Sequence, residues 1–186
     1  ARGCATGSMH PLQSFPTVTD ALDRIAGTYC YCEGDEEAQQ VINDLCEQLG
    51  MHFVRINKSA KTLYHAAAVV ACNYLSSLMD ASLELAEHAG IERDVMWTSL
   101  DPLVTATLQN IRSKGPEQAL TGPIKRSDVH TVEQHLKKIA ELPSNNEIVY
   151  KIYTSLGLQA IKMLNRHNTE TSQIDRLDLL LNKTME

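Results

Sequence analysis

The chain has 186 residues, 43% of them hydrophobic and 22% charged, an ordinary composition for a packed core and a length for one good domain or one and a half small ones. Its formal charge of −6 argues against general nucleic-acid binding, which needs a basic surface, although not against a local pocket for a small anion. The longest apolar run, AAAVVACNYL, contains Asn73 and falls short of the roughly 18–20 residues of a membrane span, and abundant Leu, Ala and Ile favour helix over sheet.

The first residues, ARGCATGSM, carry no starting methionine and no basic segment followed by an apolar one, so they read as a truncated, processed or tagged end without a secretory signal. GSM fits either a cloning remnant or the native end of a strand. HPLQSF follows it. Pro11 fixes a turn and removes a backbone donor, leaving His10, Gln13 and Ser14 as side chains at a strand end. In open α/β sheets that end faces the ligand crevice. The bland alternative is a loop whose polar groups satisfy one another.

Residues 28–57 read as strand, helix and strand. TYCYCEG suits a strand, and DEEAQQVINDLCEQLG suits a helix with acids in its first turn. That helix carries Val41, Ile42, Leu45 and Leu49 on one face and stops at Gly50. MHFVRIN is a second strand, and a βαβ unit this short makes the two strands parallel. Five cysteines, Cys4, Cys30, Cys32, Cys46 and Cys72, form no disulfide framework and are expected to be reduced in a cytoplasmic protein. Cys30 and Cys32 sit at period two in a strand with no second pair following, which favours simple burial over a metal site.

After Asn57 no strand is expected. The chain therefore divides into an α/β part over 1–57 and an all-helical part over 58–186. AKTLYHAAAVVACNYLSSLMDASLELAEHAG is one long helix stopped by Gly90, and ERDVMWTSL is a short one containing Trp97, expected in the core. Asp101-Pro102 restarts a helix that Gly115-Pro116 ends. ALTGPIKRSD is a loop, Asp128 caps the next helix, and two more follow over 146–167 and 172–183.

On the long helix, at about 100° per residue, His65 lies about 40° from Lys61, Ser76 about 60°, Asp80 about 100° and Asn73 about 120°. These polar groups form a stripe opposite Leu63, Ala67, Val70, Ala71, Leu78 and Leu85. Lys61 and His65 can meet one ligand. A solvated helix face is the bland reading, and it accounts less well for Lys61, His65 and Asn73, which interrupt an alanine-rich stretch. In LTGPIKRSD, Thr121, Lys125 and Arg126 could meet an anion beside the Gly122-Pro123 turn. His52, His88, His130 and His167 read as ordinary. No GxGxxG, P-loop, nucleophile elbow or zinc spacing is present.

Taken together, GSMHPLQSFP, KTLYHAAAVVACNYL, LDPLVTATLQN and ALTGPIKRSDVHTVEQHL resemble the Rossmann-like NADP-dependent oxidoreductases that end in a helical domain of unknown function. The resemblance runs from about Gly7 to about Tyr153. It implies a mostly α chain with a small α/β part, namely the last portion of a Rossmann-like parallel sheet. An all-helical domain like those of pyrroline-carboxylate reductases and hydroxyacid dehydrogenases would follow. The glycine turn of the nucleotide domain is missing here, so NADP is expected only with a preceding part.

The motif residues carried over are His10, Pro11, Gln13, Ser14, Lys61, His65, Asn73, Asn110, Thr121, Gly122, Pro123, Arg126 and Asp128. Hydroxyacid dehydrogenases of similar architecture use a Lys and an Asn four residues apart; here His65 stands at the second place. By this resemblance Lys61 and His65 are the catalytic pair, Lys61 as proton donor or electrostatic anchor. His10, Gln13, Ser14, Asn73, Asn110, Thr121, Gly122 and Arg126 bind a small carbonyl, imine or hydroxyacid. A homodimer through the helical domain is expected, with no nucleic acid, membrane or metal. The rival reading is a non-catalytic dimerisation and ligand-binding module, and a third is a helical scaffold for another protein.

Overall fold

A computed structural model of the chain describes residues 3–143, 146–166 and 172–183. It consists of two compact units, Ala1–Leu75 and Ser76–Glu186. The last described strand ends at Arg55 and all later described elements are helical.

The first unit holds a three-stranded sheet in the order β1-β2-β3, from Gly7–Pro11, Tyr29–Gly34 and His52–Arg55. Between the strands lie α1, Val18–Arg24, and α2, Glu36–Gln48. The expected βαβ unit is present, with β2 and β3 parallel and Cys30 paired with Phe53. The expected all-parallel sheet is not: β1 runs antiparallel to β2, with His10 opposite Tyr31. Alternation of side chains encodes a strand but not its direction. Here the intervening segment turns back through α1 and closes with Leu12 N–H on the Tyr29 carbonyl at 2.8 Å.

At the other end of that pairing a Cβ on Gly34, whose φ is +142°, would stand 2.4 Å from the Thr6 carbonyl oxygen, so glycine is required. Asp35 accepts the Thr6 N–H at 2.7 Å and the Gln39 amide donates to the Gly34 carbonyl at 2.7 Å. These bonds set the rotation of α2. It buries Gln39 and Cys46, with Ile42 partly buried, rather than the expected face: Val41 is 68% exposed, and Leu45 and Leu49 are also exposed. The core under α2 is Cys30, Cys32, Cys46 and Met51, with Met9, Ile42 and Phe53 packed around it. Burial pushes the Cys32 and Cys46 thiols up, so they are neutral in this core.

The long helix starts with a 3-10 turn, Lys58–Ala60, and continues as α3, Lys61–Ala68, a π turn, Val69–Asn73, and α4, Tyr74–His88. A π turn closes i→i+5 bonds and takes more residues per turn. The stripe expected at constant pitch therefore loses its regular phase at Val69. On the opposite side Leu63 is 77% and Val70 63% exposed, whereas Leu78 and Leu85 are partly buried. By length and composition alone, the run Lys58–His88 is apolar enough to cross a membrane, with mean hydropathy 1.2 in an 18-residue window of which 11% is buried.

In the second unit α5 is one helix, Arg93–Lys114, with Pro102 inside it. The restart expected at Asp101 does not occur. Pro102 removes one bond to the Thr98 carbonyl, and because no residue of α5 is buried, water can take that group. Trp97, expected in the core, is half exposed on this helix. The segment expected as a loop, 119–128, contains a short helix, α7, Gly122–Lys125, and another, α6, Pro116–Ala119, leads into it. Helices α8, Val129–Ala140, α9, Asn146–Asn165, and α10, Ser172–Leu181, enclose the main core of Val132, Leu136, Val149, Ile161, Leu177 and Leu181. Asp128 caps α8 as expected, accepting the Thr131 N–H at 3.1 Å. His167 lies outside the described residues.

Candidate functional site

Side chains on a strand alternate between faces. In β1 and β2 this splits the unit chemically. Met9, Cys30 and Cys32 face α2, whereas Ser8, His10, Tyr31 and Glu33 share the other face, with Ser8 opposite Glu33 and His10 opposite Tyr31. The first turns of α3 meet this second face. Lys61 Nζ donates to Ser8 Oγ at 2.7 Å and to Glu33 Oε1 at 3.0 Å. The Tyr64 ring stacks on Tyr31 with centroids 4.2 Å apart, and its hydroxyl lies 2.8 Å from His10 Nδ1. The His65 ring stands edge-on to His10 at 5.6 Å.

Electrostatics sharpen this cluster. Burial holds His10 below the ordinary value of 6.5, and the charges of His65 and Lys61 lower it further. Burial also pushes the Tyr64 phenol up, with Tyr31 beside it adding to the effect. At neutral pH the pair is therefore an uncharged imidazole bonded to a phenol. With the phenol donating to Nδ1, the remaining ring hydrogen is on Nε2, making His10 a donor to a ligand. Glu33 is buried, its side chain 12% exposed, and Lys61 is the cation beside it.

Two adjoining cavities use these groups. One of about 630 Å³ is lined by His10, Gln13, Ser14, Tyr64, His65 and Asn73. A smaller one of about 140 Å³ is lined by Ser8, His10, Glu33, Lys61, Tyr64 and His65. Six of the site residues expected from sequence thus lie around one pocket system in the first unit. Gln13 is partly occupied locally, its side-chain oxygen accepting the Ser14 N–H at 2.9 Å.

The other four lie in the second unit, in different surroundings. Asn110 is on exposed α5 and accepts from Lys114 Nζ at 3.3 Å, bound to its own helix. Gly122 opens α7 with φ +89°. Thr121 lines an apolar cavity of about 300 Å³ whose titratable side chain is Tyr153, itself bonded to His135 at 2.8 Å. Arg126 lines an open cleft with Asp128, His130 and Arg176.

Sequence reasoning missed Ser8, Tyr31, Glu33 and Tyr64. The signal was present as parity: Ser8 and His10 are two apart, as are Tyr31 and Glu33, and Tyr64 is three residues after Lys61 on the same helix face.

A family model described as a domain of unknown function, DUF2520, matches residues 28–160. The chain belongs to the DUF2520 family. No curated protein matches it. Among solved structures, a Thermotoga maritima protein is similar over 87% of this chain and 62% of its own, with TM-score 0.70 and 25% identity. A "putative NADP oxidoreductase" from Bacteroides fragilis is similar over 86% of this chain and 58% of its own, with TM-score 0.64 and 20% identity. This DUF2520 chain thus shares a fold with a protein of that name and spans about three-fifths of the length of the structures it matches.

On a βαβ unit a dinucleotide phosphate would sit at the helix N-terminus after a glycine turn. The residues do not fit. Helix α2 opens with Asp35, Glu36 and Glu37, Asp35 is already bonded to Thr6, and the space a Cβ would need at Gly34 is filled by backbone. Three acids at that place repel a pyrophosphate.

Proposed function

We propose that this chain is the substrate-side portion of an NADP-linked oxidoreductase acting on a small carbonyl, imine or hydroxyacid. The DUF2520 membership and the fold shared with the Bacteroides fragilis protein support the class. The observation that carries the reading is the bond between neutral His10 and the Tyr64 phenol, next to His65 and the Lys61 ammonium in one pocket system. The cofactor is assigned to a segment outside this chain, because α2 does not suit its phosphates.

Each residue then has a defined task. Lys61, oriented by Glu33 and Ser8, uses two of its three N–H groups and keeps the third for a substrate oxygen, which makes it an electrostatic anchor. His10 donates its Nε2 proton toward a substrate oxygen, and Tyr64, donating to Nδ1, holds the ring in that tautomer. His65 flanks the same pocket as the second acid/base group, and Asn73, Gln13 and Ser14 orient the ligand at its open end.

A longer natural form carrying the segment its relatives have in addition is assayed for NADPH oxidation with 2-oxoacids, aldehydes and cyclic imines. The proposal expects turnover with one of these classes and a fall of at least a hundredfold in kcat for His10→Ala. No saturable NADPH binding by that form overturns it.

Self-association is the second element of the proposal. Helix α5 buries none of its residues and exposes Val95, Leu103 and Leu108. A helix this poorly covered gains stability from a partner surface. A second copy of the chain is the occupant proposed, through the helical part.

A further inference from the structure

The face of the sheet away from the pocket holds chemistry that the oxidoreductase reading does not use. Cys30 and Cys32 leave β2 toward α2, and Cys46 meets them from α2. All three are 0% exposed, and their Sγ atoms lie within 4.8 Å of one another, those of Cys30 and Cys32 at 3.6 Å. Three sulfurs around one ion, each about 2.3 Å from it in a plane, stand about 4.0 Å apart. The observed spread is within an ångström of that figure. Met51 completes the apolar cluster and Met9 packs on it, which adds thioether sulfur to its side chains.

This donor set selects strongly. No carboxylate or imidazole belongs to the cluster among the described residues, which disfavours magnesium, calcium and manganese. Structural zinc takes four thiolate or imidazole donors, and only three are here. Soft thiolate and thioether donors suit monovalent copper, a d¹⁰ ion content with three sulfurs.

We propose that Cys30, Cys32 and Cys46 form a buried, sulfur-only site for Cu(I). Each Cu–S bond that forms replaces an S–H bond, the proton leaves to solvent, and no oxidation state changes. Because the sulfurs are covered, the ion enters when α2 lifts from the sheet, and loading is slower than capture at the exposed Cys4 and Cys72.

The test starts from a Cys4→Ser/Cys72→Ser protein, titrated without oxygen with Cu(I) in acetonitrile against bicinchoninate. One copper held per chain, an ultraviolet Cu–S band, three sulfur neighbours by X-ray absorption and a raised Tm are expected. Adding Cys46→Ala should weaken binding at least tenfold, and circular dichroism checks that this variant is folded; if it is not, the Tm shift and the sulfur count in the parent decide. Complete retention of copper by bicinchoninate, undiminished binding in folded Cys46→Ala, nitrogen or oxygen neighbours, or tighter binding of zinc than of copper would each overturn the proposal.

Discussion

Replacing Lys61 should destabilise the first unit more than replacing its partner Glu33, although both changes remove the same ion pair. The contact is 3.0 Å, the Glu33 side chain is 12% exposed and the Lys61 side chain 45%. At an effective dielectric of about 20, charges at this distance attract by about 5 kcal/mol before desolvation and screening, which sets a ceiling. Lys61→Met leaves a carboxylate in a place water barely reaches, and Ser8 loses its donor as well. With the exposure of the lysine discounted, the expected cost is about 2 kcal/mol. Glu33→Gln keeps an acceptor of the same shape for Lys61, whose half-exposed ammonium can also turn to water, so about 0.5–1 kcal/mol is expected. The double variant should cost less than the sum of the two. Urea unfolding of the four proteins, compared at constant m, measures all three numbers. If Lys61→Met costs no more than Glu33→Gln, the buried acid is not held by that ammonium and the anchoring argument fails.

Gly34→Ala should lower stability by about 2–3 kcal/mol, read by thermal or urea unfolding, because it forces an L residue to φ +142° with its Cβ 2.4 Å from backbone; a neutral effect would show that β1 does not cross β2 as described. The pH dependence follows from His10, whose folded value is depressed below 6.5. Its contribution to stability is present above that value and lost as pH falls from 6.5 through the folded value, where the unfolded chain binds the proton first. His10→Asn should flatten that part of the stability curve, and an unchanged slope contradicts the assignment. The chain as it stands should give no saturable NADPH binding by calorimetry, since α2 begins with acids; micromolar binding would reverse the fit argument. Light scattering after size exclusion should give the mass of a dimer, and Leu103→Glu on exposed α5 should shift it to monomer. A monomer at high concentration before mutation contradicts the proposed partner.

What could be read from the sequence was mostly local. The acids that open α2, the Asp128 cap and the parallel pair β2–β3 all follow from short-range rules, and each is where those rules put it. Direction and phase are tertiary properties. Nothing in GSMHP says that β1 pairs antiparallel, and nothing in KTLYHAAAVV announces the π turn that ends the regular stripe. Pro102 reads as a helix start by propensity, yet an exposed helix tolerates one missing bond. Val41 and Leu45 look like a buried face until the bonds from Asp35 and Gln39 fix the rotation of α2. The candidate pocket was half legible. His10, Lys61 and His65 stood out as polar residues in apolar surroundings, whereas Glu33 and Tyr64 join them only once sheet parity and α3 are set side by side.

His10, Lys61, Tyr64 and His65 are proposed to form a receptor for a small oxygen-bearing ligand. Histidine-ring and amide NMR of the chain, titrated with a 2-oxoacid and the matching 2-hydroxyacid, tests it most directly. Saturable shifts centred on His10 and His65, lost in Lys61→Met, are predicted. Saturation with those rings unmoved, or shifts confined to Thr121 and Arg126, would contradict it.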